Sequence, residues 1–465
     1  VPVSGSPVSP PAAGGRRRRA LWISLAAAAA LAGVAVAAVL YLTRDPHPEL
    51  EFQALGTGKR IAVGEDRPTD MFTAVLGDRA YLAWPGPDDR LEVIAADADT
   101  GKQLWHERSA ALAERWERIV ALPGAVALLA DATGISTPRE LEVLDAGSGK
   151  QRWHRAVHGD DELFLGADVA VLNDRAEFRL VGLDLRDGTE KWVRADPRDE
   201  YGNARTSVHV VTSDAGLGGP GFAEGAPRDP WQGEVRRLVQ VSADRSVRLI
   251  DLANGAVVRR RTNVADPGDL LAAHEDRLYV ANDDGRLLAY DLGSLAEPTV
   301  LYTAEDAKHR PKALVPCGEH RACLLEVAGG DAATAEVVAA TEGEGSERWS
   351  APGTDQLVPF GERVLAQRTY PEPAVTLFGA DGTRVLAERP GVAVRVDAGN
   401  LLVFADPLTS AEDDRSVAGV GAESGTVVEL GLLTDVRGES CSWNTSVIAC
   451  GGATEFVLHR FVPAD

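Results

Sequence analysis

The chain has 465 residues, of which 45% are hydrophobic, and length alone suggests two or three domains unless a repeat array forms one large domain. Residues 1–44 carry five arginines and no acid, and subtracting these from the formal net charge of −22 leaves −27 for residues 45–465. A surface this acidic repels phosphate backbones, which excludes nucleic acid as a partner. The acidity indicates solubility, with binding of a cation or a basic partner as the alternative.

Residues 20–42 form the first predicted element, a run of 23 residues without a charge. As a helix, this run is about 34 Å long, enough to cross a hydrocarbon core of about 30 Å. Trp22 and Tyr41 lie near its two ends, where aromatic rings prefer the membrane interface. The run therefore predicts a transmembrane signal anchor. The alternative, a cleaved signal peptide, usually has an apolar region of only about 7–15 residues.

The flanking charges predict the orientation of this helix. Four arginines, Arg16 to Arg19, precede it and only Arg44 follows closely, so the positive-inside rule keeps the N-terminus in the cytoplasm and exports the rest. The predicted organisation is a disordered basic cytoplasmic tail (1–19), the transmembrane helix (20–42), a linker (43–48) and an extracytoplasmic repeat domain (49–465).

A repeated unit begins after this segment: a strand, an Asp, a Gly four residues later and a Trp four residues after the Gly. The full copies are Asp97, Gly101 and Trp105; Asp145, Gly149 and Trp153; and Asp184, Gly188 and Trp192. Partial copies keep Asp251 and Gly255; Asp291; Gly345 and Trp349; Gly382; and Gly425. Each position has a structural role, because Asp caps a turn, Gly supplies positive φ and Trp packs between sheets.

The copies recur mostly every 37 to 50 residues, which is the length of one four-stranded propeller blade. The sequence thus predicts an all-β fold, a β-propeller of eight four-stranded blades within a range of seven to nine. A strand within Glu49 to Val63 is expected to complete the last blade and close the ring, since closure removes exposed sheet edges. The run from Asp214 to Gly233 is rich in Gly and Pro and predicts a long surface loop.

The Asp-x-x-x-Gly-x-x-x-Trp units resemble the PQQ-type propeller repeat over roughly Glu49 to Val462. That repeat is shared by quinoprotein alcohol dehydrogenases, BamB-type outer-membrane assembly lipoproteins and sensor domains of some bacterial kinases. The abundance of Arg, Ala, Gly and Val resembles the amino-acid usage of actinobacterial proteins. The dehydrogenase branch implies a quinone held against a disulfide between adjacent cysteines, beside a calcium site and a catalytic Asp.

No two cysteines of this chain are adjacent, and no acid cluster stands out. We therefore expect no catalytic, cofactor-binding or metal-ligating residue, and PQQ is not an expected cofactor. The chain also differs from the BamB-type lipoproteins, because it lacks a lipobox cysteine. The cysteines are Cys317, Cys323, Cys441 and Cys450.

The first cysteine pair could bind a metal with His320 and His309. Both pairs, however, lie at the same place in the repeat, the turn between a blade's first two strands. Export to an oxidising compartment also favours disulfides. We predict one disulfide within each pair.

The sequence as a whole predicts a non-enzymatic, membrane-anchored scaffold or sensor outside the cytoplasm. Its partner is an unknown protein or cell-envelope ligand that binds the propeller loops. The alternative is an enzyme, PQQ-dependent or carbohydrate-active, with a pocket on the propeller axis.

Overall fold

Short apolar runs form strands throughout the computed structural model, which describes residues 47–64, 67–135, 137–217 and 235–464. The strands follow one another in sets of four, and neighbours in each set pair antiparallel. We number these sets as groups 1 to 9 in chain order. The predicted transmembrane helix at 20–42 lies outside the described residues. Within them, no helix has the length and apolarity to span a membrane.

Groups 1 to 4 fill the first half of the described chain. Their strands are, in group 1, β2 (Phe72–Leu76), β3 (Arg79–Pro85), β4 (Leu91–Asp97) and β5 (Gln103–Arg108); in group 2, β6 (Trp116–Leu122), β7 (Ala125–Ala130), β8 (Pro138–Asp145) and β9 (Gln151–His158); in group 3, β10 (Glu162–Leu165), β11 (Val169–Asp174), β12 (Arg179–Asp184) and β13 (Glu190–Ala195); and in group 4, β14 (Thr206–Thr212), β15 (Arg237–Ser242), β16 (Val247–Asp251) and β17 (Val257–Arg261).

Groups 5 to 9 follow with the same order. Their strands are, in group 5, β18 (Leu270–His274), β19 (Arg277–Ala281), β20 (Arg286–Asp291) and β21 (Thr299–Thr303); in group 6, β22 (His309–Pro316), β23 (Arg321–Ala328), β24 (Glu336–Thr341) and β25 (Gly345–Ser350); in group 7, β26 (Gln356–Phe360), β27 (Arg363–Arg368), β28 (Ala374–Phe378) and β29 (Arg384–Pro390); in group 8, β30 (Val392–Asp397), β31 (Asn400–Phe404), β32 (Glu412–Gly421) and the first part of β33 (Val427–Trp443); and in group 9, the end of β33, β34 (Val447–Gly451), β35 (Glu455–Arg460) and β1 (Lys59–Ala62).

This all-β architecture of four-stranded sheets fits the predicted β-propeller. Among the described residues the groups number nine, at the upper end of the predicted range. Groups 8 and 9 share β33, and groups 4 and 5 are joined into one sheet. The number of groups therefore need not equal the number of blades, and the predicted count of eight blades stays a prediction.

Helical structure in the described residues is confined to two single turns. The first is α1 (Asp214–Leu217), which begins the predicted Gly/Pro-rich loop. Residues 218–234 of that loop lie outside the described residues. The second is a 3₁₀ turn at Ala332–Thr334, where the Asp331 carboxylate caps the N-terminus by accepting a hydrogen bond from the Ala333 N–H.

The predicted closing strand is confirmed. Strand β1 pairs antiparallel with β35, with Arg60 opposite Val457. The group that it completes packs against group 1, since Val75 and Leu82 share a buried cluster with Phe456. First and last groups are thus neighbours, and β1 covers the edge that β35 would otherwise expose.

Each repeat tryptophan joins its own group to the next group along the chain. Trp153 Nε1, on β9 of group 2, donates a hydrogen bond to the Leu185 carbonyl of group 3 at 3.1 Å. Its ring also covers Gly188, where an added Cβ would lie 2.7 Å from a ring carbon. The same pair of contacts recurs for Trp105 with Ala146 and Gly149, and for Trp192 with Leu252 and Gly255.

The Asp and Gly of each unit shape the turn that receives this ring. Asp145 Oδ1 accepts a hydrogen bond from the Ser148 N–H at 2.9 Å, and the Gly149 N–H donates to the Asp145 carbonyl at 2.8 Å. Hydrogen bonds from Arg152 and then Ser148 lower the pKa of Asp145 to about 2. At the next turn Gly188 has φ of 72°, a conformation that side chains other than Gly rarely adopt. The predicted turn chemistry is confirmed.

Groups 3 and 4 also share a buried polar contact. Gln240 Nε2, on β15, donates to Asp196 Oδ1 at 2.7 Å, and Thr206 Oγ1 donates to Asp196 Oδ2 at 3.3 Å. Asp196 is only 9% exposed, and this burial raises the pKa of its carboxyl to about 6 despite both donors. The folded state therefore favours the protonated carboxyl, and its stability falls as pH rises from about 4 through 6.

The Asp196→Asn variant tests this contact. Asn keeps an acceptor for Gln240 but cannot ionise. We expect its free energy of unfolding to match that of the parent near pH 4 and to exceed it by about 1–2 kcal/mol at pH 8. Urea unfolding across this pH range measures the difference.

The matched control is Asp97→Asn. Hydrogen bonds from Thr100 lower the pKa of Asp97, so ionisation stabilises the parent there, and this variant becomes less stable than the parent as pH rises to about 4. If the two variants followed the same pH profile, the assigned environment of Asp196 would be wrong.

Candidate functional site

The first strands of successive groups lie side by side. Strand β14 pairs in parallel with β18, with Val211 opposite Ala273, and Thr212 Oγ1 donates to the Ala273 carbonyl at 3.0 Å. Strands β18 and β22 are neighbours, as are β2 and β6. This arrangement turns one edge of every group toward a shared interior, which is the axis of a propeller.

A cavity of about 460 Å³ lies along these first strands. It is lined from groups 2 to 6, with wall residues that include Arg118 on β6, Leu163 on β10, Val208 on β14, Leu271 on β18 and Pro316 on β22. Eleven of its fourteen lining residues are apolar, so the wall favours an apolar occupant. The volume is within the range of small-molecule sites, about 300–1,000 Å³.

Arg118 supplies the charge in this wall. Its Nε is buried without a hydrogen-bond partner and lies 3.5 Å from Glu117 Oε1. The other carboxylate oxygen of Glu117 pairs with Arg139, which in turn donates to the Asp161 carbonyl at 2.9 Å. Two guanidinium groups therefore share one carboxylate, and the cavity wall carries an excess of positive charge.

His209 on β14 is the other ionisable residue in the wall. Burial lowers the pKa of its imidazole, and the nearby Glu162 carboxylate opposes that effect only partly. The ring is therefore neutral at pH 7. Its Nε2 lies 3.3 Å from Ser207 Oγ, within reach of a nucleophile–base pair.

A Ser–His pair also needs a group that orients the imidazole. Glu162 is the nearby carboxylate, but its oxygens accept hydrogen bonds from Asn173 and Arg175. Ser207 and His209 are two residues apart on one strand, so they share a face by the strand's own period. The contact follows from the backbone and does not by itself indicate catalysis.

Both predicted disulfides are present, Cys317–Cys323 and Cys441–Cys450. Each joins the first two strands of its group, as the repeat predicts, because β22 pairs with β23 and β33 pairs with β34. The first disulfide follows Pro316 in the cavity wall. Its two sulfur atoms are bonded to each other, so the alternative metal site with His320 and His309 has no thiolate ligands.

The predicted repeat anchors lie in the turns and outer strands of the groups, and as far as the described residues define the cavity, no anchor lines it. Sequence reasoning missed the residues that line the cavity. Arg118 and His209 are each embedded in an apolar strand, WERIVAL and TSVHVVT. A titratable residue inside an apolar run was the available signal.

The residues do not fit the quinone site that the family resemblance implies. Neither disulfide joins adjacent cysteines. Throughout the part of the chain that the structure describes, no three His, Cys, Asp or Glu side chains are placed to hold a metal ion. The cavity wall is mostly apolar, with Arg118 as its cation. No catalytic step through a quinone follows from these side chains.

Comparisons with known proteins agree with the repeat pattern. The family model described as outer membrane protein assembly factor BamB matches residues 89–242, which span the three full repeats. No curated protein sequence matches the chain.

Several solved structures resemble the chain in fold. BamB from Moraxella catarrhalis is 13% identical, with a TM-score of 0.42, and the match covers 88% of this chain and 100% of that one. The computationally designed Ika8 protein is 12% identical, with a TM-score of 0.42 and coverage of 89% and 100%. A europium-containing methanol dehydrogenase is 12% identical, with a TM-score of 0.40 and coverage of 86% and 85%.

Over residues 89–242 the chain thus matches a PQQ-type repeat family, and its four-stranded sheets fit a β-propeller. Function has to be argued from the site.

Proposed function

We propose that this chain is a non-catalytic binding module, a scaffold or sensor that an N-terminal helix at residues 20–42 holds at the membrane with the propeller outside the cytoplasm. The observation that carries this proposal is the axial cavity of about 460 Å³ with its mostly apolar wall. Such a wall can retain a ligand by burying its apolar surface. Acid–base chemistry would need positioned, ionisable partners, and His209 has only the Ser207 hydroxyl within hydrogen-bond distance.

The extracytoplasmic location is supported by the charge pattern and the disulfides. Arginines cluster before the predicted helix, and the positive-inside rule places that end in the cytoplasm. Disulfides persist in oxidising compartments, and all four cysteines form them. A partner protein or cell-envelope ligand would meet the propeller there, at the loops or at the cavity.

A topology measurement tests the location. We expect alkaline phosphatase fused after Asp465 to be active and β-galactosidase fused at the same point to be inactive, because the first enzyme folds only outside the cytoplasm. Deleting residues 1–44 is the control and should abolish phosphatase activity. Active β-galactosidase on the full chain would contradict the proposed location.

A turnover assay tests the absence of chemistry. The purified full chain, supplied with PQQ and Ca²⁺, should show no dye-linked oxidation of alcohols or sugars above the signal of a Val210→Trp variant, which adds an indole at a partly buried residue of the cavity wall. Oxidation by the parent that disappears in this variant would replace the binding proposal with the enzymatic alternative. The Ser207–His209 pair is tested in the same way with ester substrates and a Ser207→Ala variant.

A further inference from the structure

We propose that the axial cavity binds an amphiphile with one anionic head group, whose apolar chain lies against strands β10, β14 and β18 and whose head meets Arg118. The inference rests on the proposed binding function and names the class of ligand. A carboxylate on an aliphatic chain is the simplest member of that class.

The apolar half of the site is a continuous wall from three successive groups. Leu163 and Leu165 on β10, Val210 on β14 and Leu271 on β18 are only partly buried, and all line the cavity. Apolar side chains of this size gain free energy when an occupant removes them from water. An alkyl chain provides that contact without polar groups that the wall would leave unpaired.

The charged half is Arg118. Its side chain is 24% exposed, so the guanidinium is reachable from the cavity that it lines. Its Nε is buried and lies 3.5 Å from Glu117 Oε1, so the two terminal nitrogens are the polar atoms left to meet a ligand. They form a planar fork that matches the two oxygens of a carboxylate. An anionic head group would therefore bind the terminal nitrogens.

The neighbouring charges favour an anion over a cation. Glu117 pairs with Arg118 and also with Arg139, so it neutralises only one of the two. The Glu162 carboxylate near His209 is itself paired with Arg175. His209 is neutral at pH 7 because burial lowers its pKa. Among the described residues that line the cavity, Arg118 is thus the one charged side chain. A cationic head group would meet an uncompensated positive charge in apolar surroundings, which is unfavourable.

Two probes with the same chain and opposite charge test this inference. Octanoate and octylammonium are titrated by calorimetry into the full chain in nanodiscs of zwitterionic lipid. The Val210→Trp variant corrects for partition into lipid, because it adds an indole to the cavity wall and leaves the disc unchanged. We expect octanoate to bind the parent at least tenfold more tightly than octylammonium does, and to lose specific binding in the Val210→Trp variant.

Charge variants locate the head group. Arg118→Gln should weaken octanoate binding at least tenfold, whereas Arg118→Lys, which keeps the charge and loses the fork, should weaken it less. The matched control is Arg115→Gln, which removes an exposed guanidinium paired with Asp131 and should leave binding unchanged. Circular dichroism of each variant separates lost binding from lost folding.

Two results would overturn the inference, and they differ in what they imply for the proposed function. Equal binding of octanoate and octylammonium in the parent would leave the cavity a binding site without anion selectivity. Indistinguishable heats from the parent and Val210→Trp would exclude the cavity as the site for this class, and the function would then rest on the loops.

Discussion

The contact of a tryptophan ring with a glycine in the next group is the constraint on which this architecture depends. A four-stranded sheet has two faces to bury, and its neighbours are the surfaces available for both. Trp153 fixes how closely groups 2 and 3 approach, because its ring covers Gly188 and its N–H reaches the Leu185 carbonyl. Any Cβ at residue 188 would enter the space of the ring.

The same contact persists where the sequence unit has decayed. Arg259 stands where the unit has Trp, and its Nε donates to the Gly293 carbonyl of the next group. At the closure, Lys59 of β1 covers Gly101 of group 1, where an added Cβ would lie 2.9 Å from the Lys59 Cβ. Different residue types thus make a close contact between neighbouring groups at the same place. This explains why the full sequence unit appears only three times.

The repeated part of the fold could be predicted because its signals are local. Asp, Gly and Trp lie within nine residues of each other, and the turn at Asp145 needs only that segment. The closing strand followed from the need to cover a sheet edge. The seventeen-residue strand β33 was not predicted to serve two groups, because the one glycine where it passes from one to the other, Gly438, is a weak signal inside a strand.

The cavity could not be predicted, because residues from five groups meet there only after the first strands align. Arg118 and His209 lie about ninety residues apart in sequence, and no repeat period relates them. Their surroundings, not their types, give them a role: a guanidinium in a mostly apolar wall in one case and a neutral buried ring in the other. The ligand class proposed above depends on that tertiary placement.

A double-mutant cycle on Trp153 and Gly188 tests the central constraint most directly, with free energies of unfolding measured for Trp153→Ala, Gly188→Ala and the double variant. We expect Gly188→Ala to cost about 3 kcal/mol or more beneath the intact ring, but only about 1 kcal/mol, the cost of positive φ, once Trp153 is Ala. Single-variant losses that add to the double-variant loss within about 0.5 kcal/mol would contradict the account.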